Sequence, residues 1–204
     1  MDNHTICALA TATGGAIGIV RVSGEKAIEI TDCIFKSTQL KTLCDAKGNS
    51  LHYGEVHDKE GNVIDEVLVS IFRSPHSYTG EDSTEISCHG SAFILGQVIK
   101  ALIDSGCRQA EPGEFTKRAY LNGKMDLSQA EAVADLIASS NKASHQLALN
   151  QLKGHFSSEL SQLREQLLKI TSLLELELDF SDHEELEFAD RGELEALAEK
   201  IRLL

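Results

Sequence analysis

Residues Glu111 to Ile137, EPGEFTKRAYLNGKMDLSQAEAVADLI, are where this chain changes character. In the first half, Glu114, Lys117 and Arg118 fall in a short helical segment that ends before Gly123. Glu114 and Arg118 stand four apart, a spacing at which an ion pair on a helix surface contributes roughly 0.2–0.5 kcal/mol. In the second half, Asp126-Leu127-Ser128-Gln129 has the form of a capping box, in which two side chains satisfy each other's free backbone N–H groups. Ala130, Val133, Ala134 and Ile137 then follow at helical spacing. One stretch therefore closes one kind of structure and opens another, which predicts a boundary at 122/123.

Upstream, strands and helices alternate. Thr5 to Leu9 and Ala16 to Val22 read as strands, the second with Ile17, Ile19 and Arg21 on one face. Ser23 is placed to cap a helix carrying Ala27, Ile30 and Ile34. Leu51 to Val56 and Val63 to Phe72 flank Asp58-Lys59-Glu60-Gly61-Asn62, a hairpin-loop composition. Ser74 to Ser83 is a polar loop, in which Tyr78 to Asp82 is expected to shape a pocket mouth or a dimer contact. Thr84 to His89 alternates, with Glu85, Ser87 and His89 on one side and Ile86 and Cys88 on the other. A helix from about Ser91 to Ser105 stops at Gly106. The sum is an α+β domain on a mixed sheet.

Downstream, everything reads as helix. Phe156, Leu160, Leu163, Leu167, Ile170 and Leu174 recur at steps of 4, 3, 4, 3 and 4, a narrow apolar seam that needs a partner helix. Leu194, Leu197, Ile201 and Leu204 form another stripe, so the helical domain is expected to be incomplete and to associate through it.

Composition narrows the function classes. The 204 residues carry a formal net charge of −13, and from Glu175 to Glu199 eleven Asp/Glu face one basic residue, Arg191. Nucleic-acid affinity depends mainly on Lys and Arg neutralising phosphates, so any RNA contact must be local or made elsewhere. No run of about 18 apolar residues marks a membrane span and no secretory leader is evident, which makes a cytoplasmic location the expectation. Five scattered cysteines without C-x-x-C predict free thiols, with Cys88 in the core. The acidic residues Asp179, Asp182, Glu184 and Glu185 lack the glycine and spacing of a Ca²⁺ loop. No metal site and no catalytic residue is assigned.

Four stretches, in order, are similar to the signature of the MnmE (TrmE) family of tRNA-modification GTPases: Ala8 to Gly24 (ALATATGGAIGIVRVSG), Ser77 to Ser91 (SYTGEDSTEISCHGS), Glu111 to Ile137, and Leu149 to Ser157 (LNQLKGHFS). Two turns depart from the family: Ala12-Thr13 stands where it commonly has Pro-Pro, and Ser181 where D-F-P-D-E carries its proline, so both lose φ restriction. The P-loop pattern G-x-x-x-x-G-K-[ST] and the family's C-terminal cysteine motif are absent from these residues, and no GTP hydrolysis is expected of them.

The resemblance implies a fold class: an N-terminal mixed-sheet folate-binding domain like the tetrahydrofolate-binding domain of glycine-cleavage aminomethyltransferases, over 1–122, then the first long helices of an incomplete helical domain, over 123–204. It also implies a homodimer, a 5-formyl- or 5,10-methylene-tetrahydrofolate one-carbon donor, and a partner, MnmG, that brings FAD and NADH chemistry. The pair would add an aminomethyl-type group at C5 of the tRNA wobble uridine, with GTP, Mg²⁺ and K⁺ used in a G domain outside these residues.

Three residues match the family's folate contacts: Arg21, Glu85 and Lys124. A carboxylate accepts parallel hydrogen bonds from adjacent pterin N–H groups, which suits Glu85, while cations suit the anionic glutamate tail. Arg21, a charge on an otherwise apolar strand, is explained by a folate anion or by an ion pair with a loop carboxylate. Lys124, without the family, is a solvated surface lysine. Two competing readings stay open: a stand-alone folate-dependent aminomethyltransferase, and an oligomerisation scaffold that binds no folate.

Overall fold

The computed structural model of the chain describes residues 4–38, 40–179 and Glu199. Two compact units divide between Met125 and Asp126. The first is α+β, as expected. Strands β1 (Ile6–Leu9), β2 (Ile17–Ser23), β3 (Phe35–Lys36), β4 (Ser50–His57), β5 (Val63–Phe72), β6 (Ser83–His89) and β7 (Arg108–Gln109) form one sheet in the order β3-β4-β5-β6-β2-β1-β7. Every neighbouring pair is antiparallel except β1 and β7, which run parallel and make the sheet mixed.

Alternation along the strands decides which face is buried. Val20 and Val22 of β2, Val67, Val69 and Ile71 of β5, and Ile86 of β6 point to one face. There they share a core with Ile30 and Ile34 of helix α1 (Ala27–Ile34) and with Leu95, Val98 and Leu102 of helix α2 (Ala92–Asp104). Each such side chain contributes roughly 1.5–3 kcal/mol on burial. The opposite face carries Arg21, Glu85 and Ser87, all partly exposed. Helix α2 ends at Gly106, whose φ of +114° lets the chain turn back into β7. A short helix, α3 (Glu114–Leu121), follows and stops before Gly123.

Ser23 does not cap α1. Lys26 occupies that position, because the chain turns at Gly24 and the helix begins only at Ala27. The Gly24 turn is tight: an added Cβ would stand 2.7 Å from the Thr5 Cα. Ser23 Oγ is spent instead on the 74–82 loop.

The second unit is helical. Helix α4 (Leu127–Ala138) opens on the expected capping box, with Asp126 and Gln129 each bonding the other's backbone N–H at 2.9 Å. Helix α5 (Lys142–Leu152) is capped by Asn141 and packs on α4 through the buried small residues Ala132 and Ala148. Gln129 Nε2 closes the pair by donating to the Leu152 carbonyl at 2.9 Å. Helix α6 (His155–Asp179) carries the seam, where Leu160, Leu167 and Leu174 remain nearly half exposed. The stripe from Leu194 to Leu204 and the acidic residues Asp182, Glu184 and Glu185 lie outside the described residues. Among the described residues no helix is long and apolar enough to cross a membrane.

Candidate functional site

The pairing of β2 with β6 sets Arg21 directly opposite Glu85 on the sheet face away from α1 and α2. Arg21 Nε donates to Glu85 Oε1 at 2.9 Å, and Nη2 reaches the same oxygen at 2.8 Å. Both contacts converge on one oxygen, and neither Glu85 Oε2 nor Arg21 Nη1 has a hydrogen-bond partner among the described residues. The pair thus leaves an acceptor, Glu85 Oε2, at the carboxylate and a donor, Arg21 Nη1, on the far side of the guanidinium. Of the two explanations open for Arg21, the ion pair is present, with Glu85 on the adjacent strand in place of a loop carboxylate.

Two aromatic rings pack on this guanidinium. The Tyr78 centroid is 5.1 Å from Arg21 Cζ and the Phe115 centroid 5.5 Å, inside the range where a cation is attracted to a ring face. Tyr78 Oη is tied to Thr116 Oγ1 at 2.9 Å, so helix α3 supplies one ring and anchors the other.

The loop that carries Tyr78 is held closed by its own hydrogen bonds. Ser74 N donates to Asp82 Oδ1 and Ser74 Oγ to the Gly80 carbonyl, both at 2.8 Å. Thr79 is fully buried; its hydroxyl is 2.6 Å from Ser23 Oγ, and its carbonyl accepts from Asn122 Nδ2 at 2.8 Å. Gly80, at φ +80°, holds a backbone conformation that strains any side chain, and an added Cβ would stand tightly at 3.2 Å from Lys124 Cγ and 3.3 Å from Asn122 Cβ. Lys124 lies over the loop and its ammonium donates to the Pro75 carbonyl at 2.9 Å. Among the described residues nothing bonds Lys124 to Arg21 or Glu85. The structure therefore joins Arg21 with Glu85 and sets Lys124 on the loop beside them.

Beneath the loop runs a charge network that sequence spacing undervalues. Arg118, 8% exposed, donates from Nη1 to both Glu81 oxygens at 3.2 and 3.3 Å, and from Nη2 to the His4 carbonyl and to Glu114 Oε1. Glu114 also takes Arg108 in a two-point contact at 2.6 and 3.0 Å and accepts from Glu111 N at 2.8 Å. The Arg108 hydrogen bonds, helped by Glu111 N and Arg118, outweigh burial and hold the Glu114 carboxyl down at about 2. Glu81 Oε2 accepts from Ser23 Oγ at 2.7 Å, which links the network to the loop. The Glu114–Arg118 pair is thus a buried strut, where spacing alone suggests a weak surface pair.

Other candidates resolve into structure. His89 Nδ1 and its backbone N both meet Asp65, at 2.8 Å, so this histidine joins β6 to β5. All five cysteines are free, and burial pushes the Cys88 thiol up to about 11. A cavity of about 540 Å³ is lined by Glu25, Ser74, Gly80, Glu81, Asp82 and Asn122. Three carboxylates on its wall disfavour an anion, and neither Arg21 nor Glu85 lines it.

The sequence profile described as "GTP-binding protein TrmE N-terminus" matches residues 5–124. The chain belongs to the TrmE/MnmE family. A second profile, "MnmE helical domain", matches residues 127–203, so the two matches fall on either side of the division between the compact units. Among curated relatives, the "tRNA modification GTPase MnmE" of Bacteroides thetaiotaomicron is 61% identical over 202 residues, covering 98% of this chain and 43% of the relative. That of Bacteroides fragilis is 62% identical over 202 residues with the same coverage. That of Flavobacterium johnsoniae is 53% identical over 205 residues, covering 100% of this chain and 44% of its own. The chain thus spans less than half the length of these MnmE relatives, and what it carries is the TrmE N-terminal part and the helical part of the family.

Proposed function

We propose that the first unit binds a reduced folate as the one-carbon donor of a tRNA-modification GTPase, and that the chain dimerises through this unit. The observation that carries the reading is the unfinished Arg21–Glu85 pair. A pterin presents adjacent N–H donors along one edge, and Glu85 Oε2 is an acceptor left for them while Arg21 holds the other carboxylate oxygen. Charge-assisted contacts of this kind are the stronger class of hydrogen bond. Arg21 thereby fixes Glu85 for the pterin edge, and the anionic glutamate tail falls to Lys124. The lysine is free to exchange, because the bond it gives up, to the Pro75 carbonyl, is solvent-exposed.

The bound folate would supply the one-carbon unit. The protein's own part is to bind the pterin edge, orient it against the sheet and fix the tail. Redox chemistry from an MnmG partner, addition at C5 of a tRNA wobble uridine, and GTP hydrolysis with Mg²⁺ and K⁺ in a G domain belong to the assembled enzyme. These 204 residues lack the P-loop pattern, and a phosphate-release assay on them alone is expected to show no GTP hydrolysis above buffer.

A thermal-shift titration with 5-formyltetrahydrofolate tests the binding claim. A ligand that binds only the native state raises stability by RT ln(1 + [L]/Kd), about 2.7 kcal/mol at one hundred times Kd. A concentration-dependent rise that Glu85→Ala abolishes supports the reading. No shift at millimolar ligand sinks it and leaves the oligomerisation scaffold.

A further inference from the structure

We propose that Tyr78 is the stacking platform of this site and that Asn122 is the residue that positions it. The ligand is then a flat, hydrogen-bonding heteroaromatic ring, read at its edge by the Glu85 carboxylate that Arg21 holds and on its face by the tyrosine. The inference rests on the folate reading and adds to it the residues that fix how the ring lies.

Tyr78 is anchored at both ends yet 37% exposed. Its hydroxyl is held by Thr116. Its backbone is held through the next residue, Thr79, which is fully buried, hydrogen-bonded by Ser23, and carries the carbonyl that Asn122 grips. A ring placed only to shield Arg21 gains by being covered, and Phe115 already packs on the same guanidinium from a half-buried position. Tyr78 keeps more than a third of its surface open beside the Arg21–Glu85 pair. A tethered ring also loses little freedom when a ligand stacks on it, so its contact energy goes into affinity.

Asn122 acts only through the loop. Its side chain bonds the Thr79 carbonyl, its Cβ packs toward Gly80, and no bond joins it to Arg21 or Glu85 among the described residues. Removing its amide frees the backbone beside Tyr78 and leaves the Arg21–Glu85 pair in place. Asn122 is therefore a positioning residue, distinct from the groups that touch the ligand.

The test is calorimetric titration of the chain with 5-formyltetrahydrofolate, paired with the difference absorbance of the pteridine band, which falls when that ring stacks on an aromatic side chain. Stacking a base on an aromatic side chain is worth about 1–3 kcal/mol by alanine substitution, so Tyr78→Ala is expected to weaken binding about tenfold or more and to abolish the spectral change. Tyr78→Phe keeps the ring and stays within about threefold, with the spectral change intact. Asn122→Ala weakens binding about three- to tenfold and reduces the spectral change, an effect a purely structural residue would not have on the absorbance of bound ligand. Wild-type affinity and spectrum in Tyr78→Ala, with binding lost in Glu85→Gln, overturn the platform and leave the folate reading standing. Absence of binding by the wild-type chain overturns both.

Discussion

Glu114→Gln removes one charge from the strut under the 74–82 loop, and the structure sets the size of the effect. The carboxyl is held at about 2 by Arg108, Glu111 N and Arg118, a little over two pH units below an ordinary glutamate. At 1.36 kcal/mol per unit this is about 3 kcal/mol of stability. Arg108 is one-third exposed and water takes over part of its pairing, so the variant is expected to lose about 2–3 kcal/mol at pH 7. The sign follows from a depressed folded value: the contribution is complete above about pH 4.5 and disappears as pH falls through 2. For a chain of this size the loss lowers Tm by about 5–10 °C at pH 7. Thermal melts of both proteins followed by circular dichroism between pH 7 and pH 2 read it directly. The two curves should converge as pH falls from about 4.5 to 2. A variant that melts within a degree or two of wild type at pH 7, or that keeps a constant offset down to pH 2, refutes the strut.

Three further outcomes follow from the same structure. Gly54→Ala would place a Cβ 2.2 Å from the Lys36 carbonyl and 2.6 Å from the buried Phe35 ring, and should cost about 2–3 kcal/mol in urea denaturation as β3 leaves the sheet edge; an unchanged midpoint would mean the edge yields freely. With an aromatic disulfide reagent, Cys33 and Cys44 should react rapidly in the native chain, and Cys7, Cys88 and Cys107 only on unfolding. Rapid labelling of all five would show an open core. Sedimentation at micromolar concentration should give twice the 22.2 kDa of one chain, and particles of one chain's mass would remove the dimer.

Much of the fold is legible in the sequence because its strands alternate cleanly. The shared face of Ile17, Ile19 and Arg21, the hairpin around Asp58 to Asn62, and the capping box at Asp126 are all local patterns, and each is present. What escapes is short or long-range. Strands β3 and β7 are two residues each, below any periodicity, and β7 exists because α2 returns the chain to β1. Ser23 has the composition of a helix cap, yet a buried threonine and a glutamate more than fifty residues away claim its hydroxyl.

The candidate site divides in the same way. Glu85 and Arg21 stand out singly, as charges on strand faces, but their pairing depends on the β2–β6 register between residues 64 apart. Tyr78 is legible only as part of the Tyr78 to Asp82 loop expected to shape a pocket mouth or a dimer contact, and Asn122 carries no signal of its own. Their place beside the pair depends on Thr79 and Ser23, which only the folded chain brings together. The Glu114 strut was visible as a helix-surface pair, and its weight comes from Arg108 and Glu81, which lie outside the helix.

A crystal structure of the chain grown with 5-formyltetrahydrofolate is the most direct test of the folate reading. It should show the pterin edge on Glu85 Oε2, with the ring against Tyr78 and the glutamate tail on Lys124. Ligand density confined to any other surface, with the Arg21–Glu85 pair closed to it, would contradict the assignment.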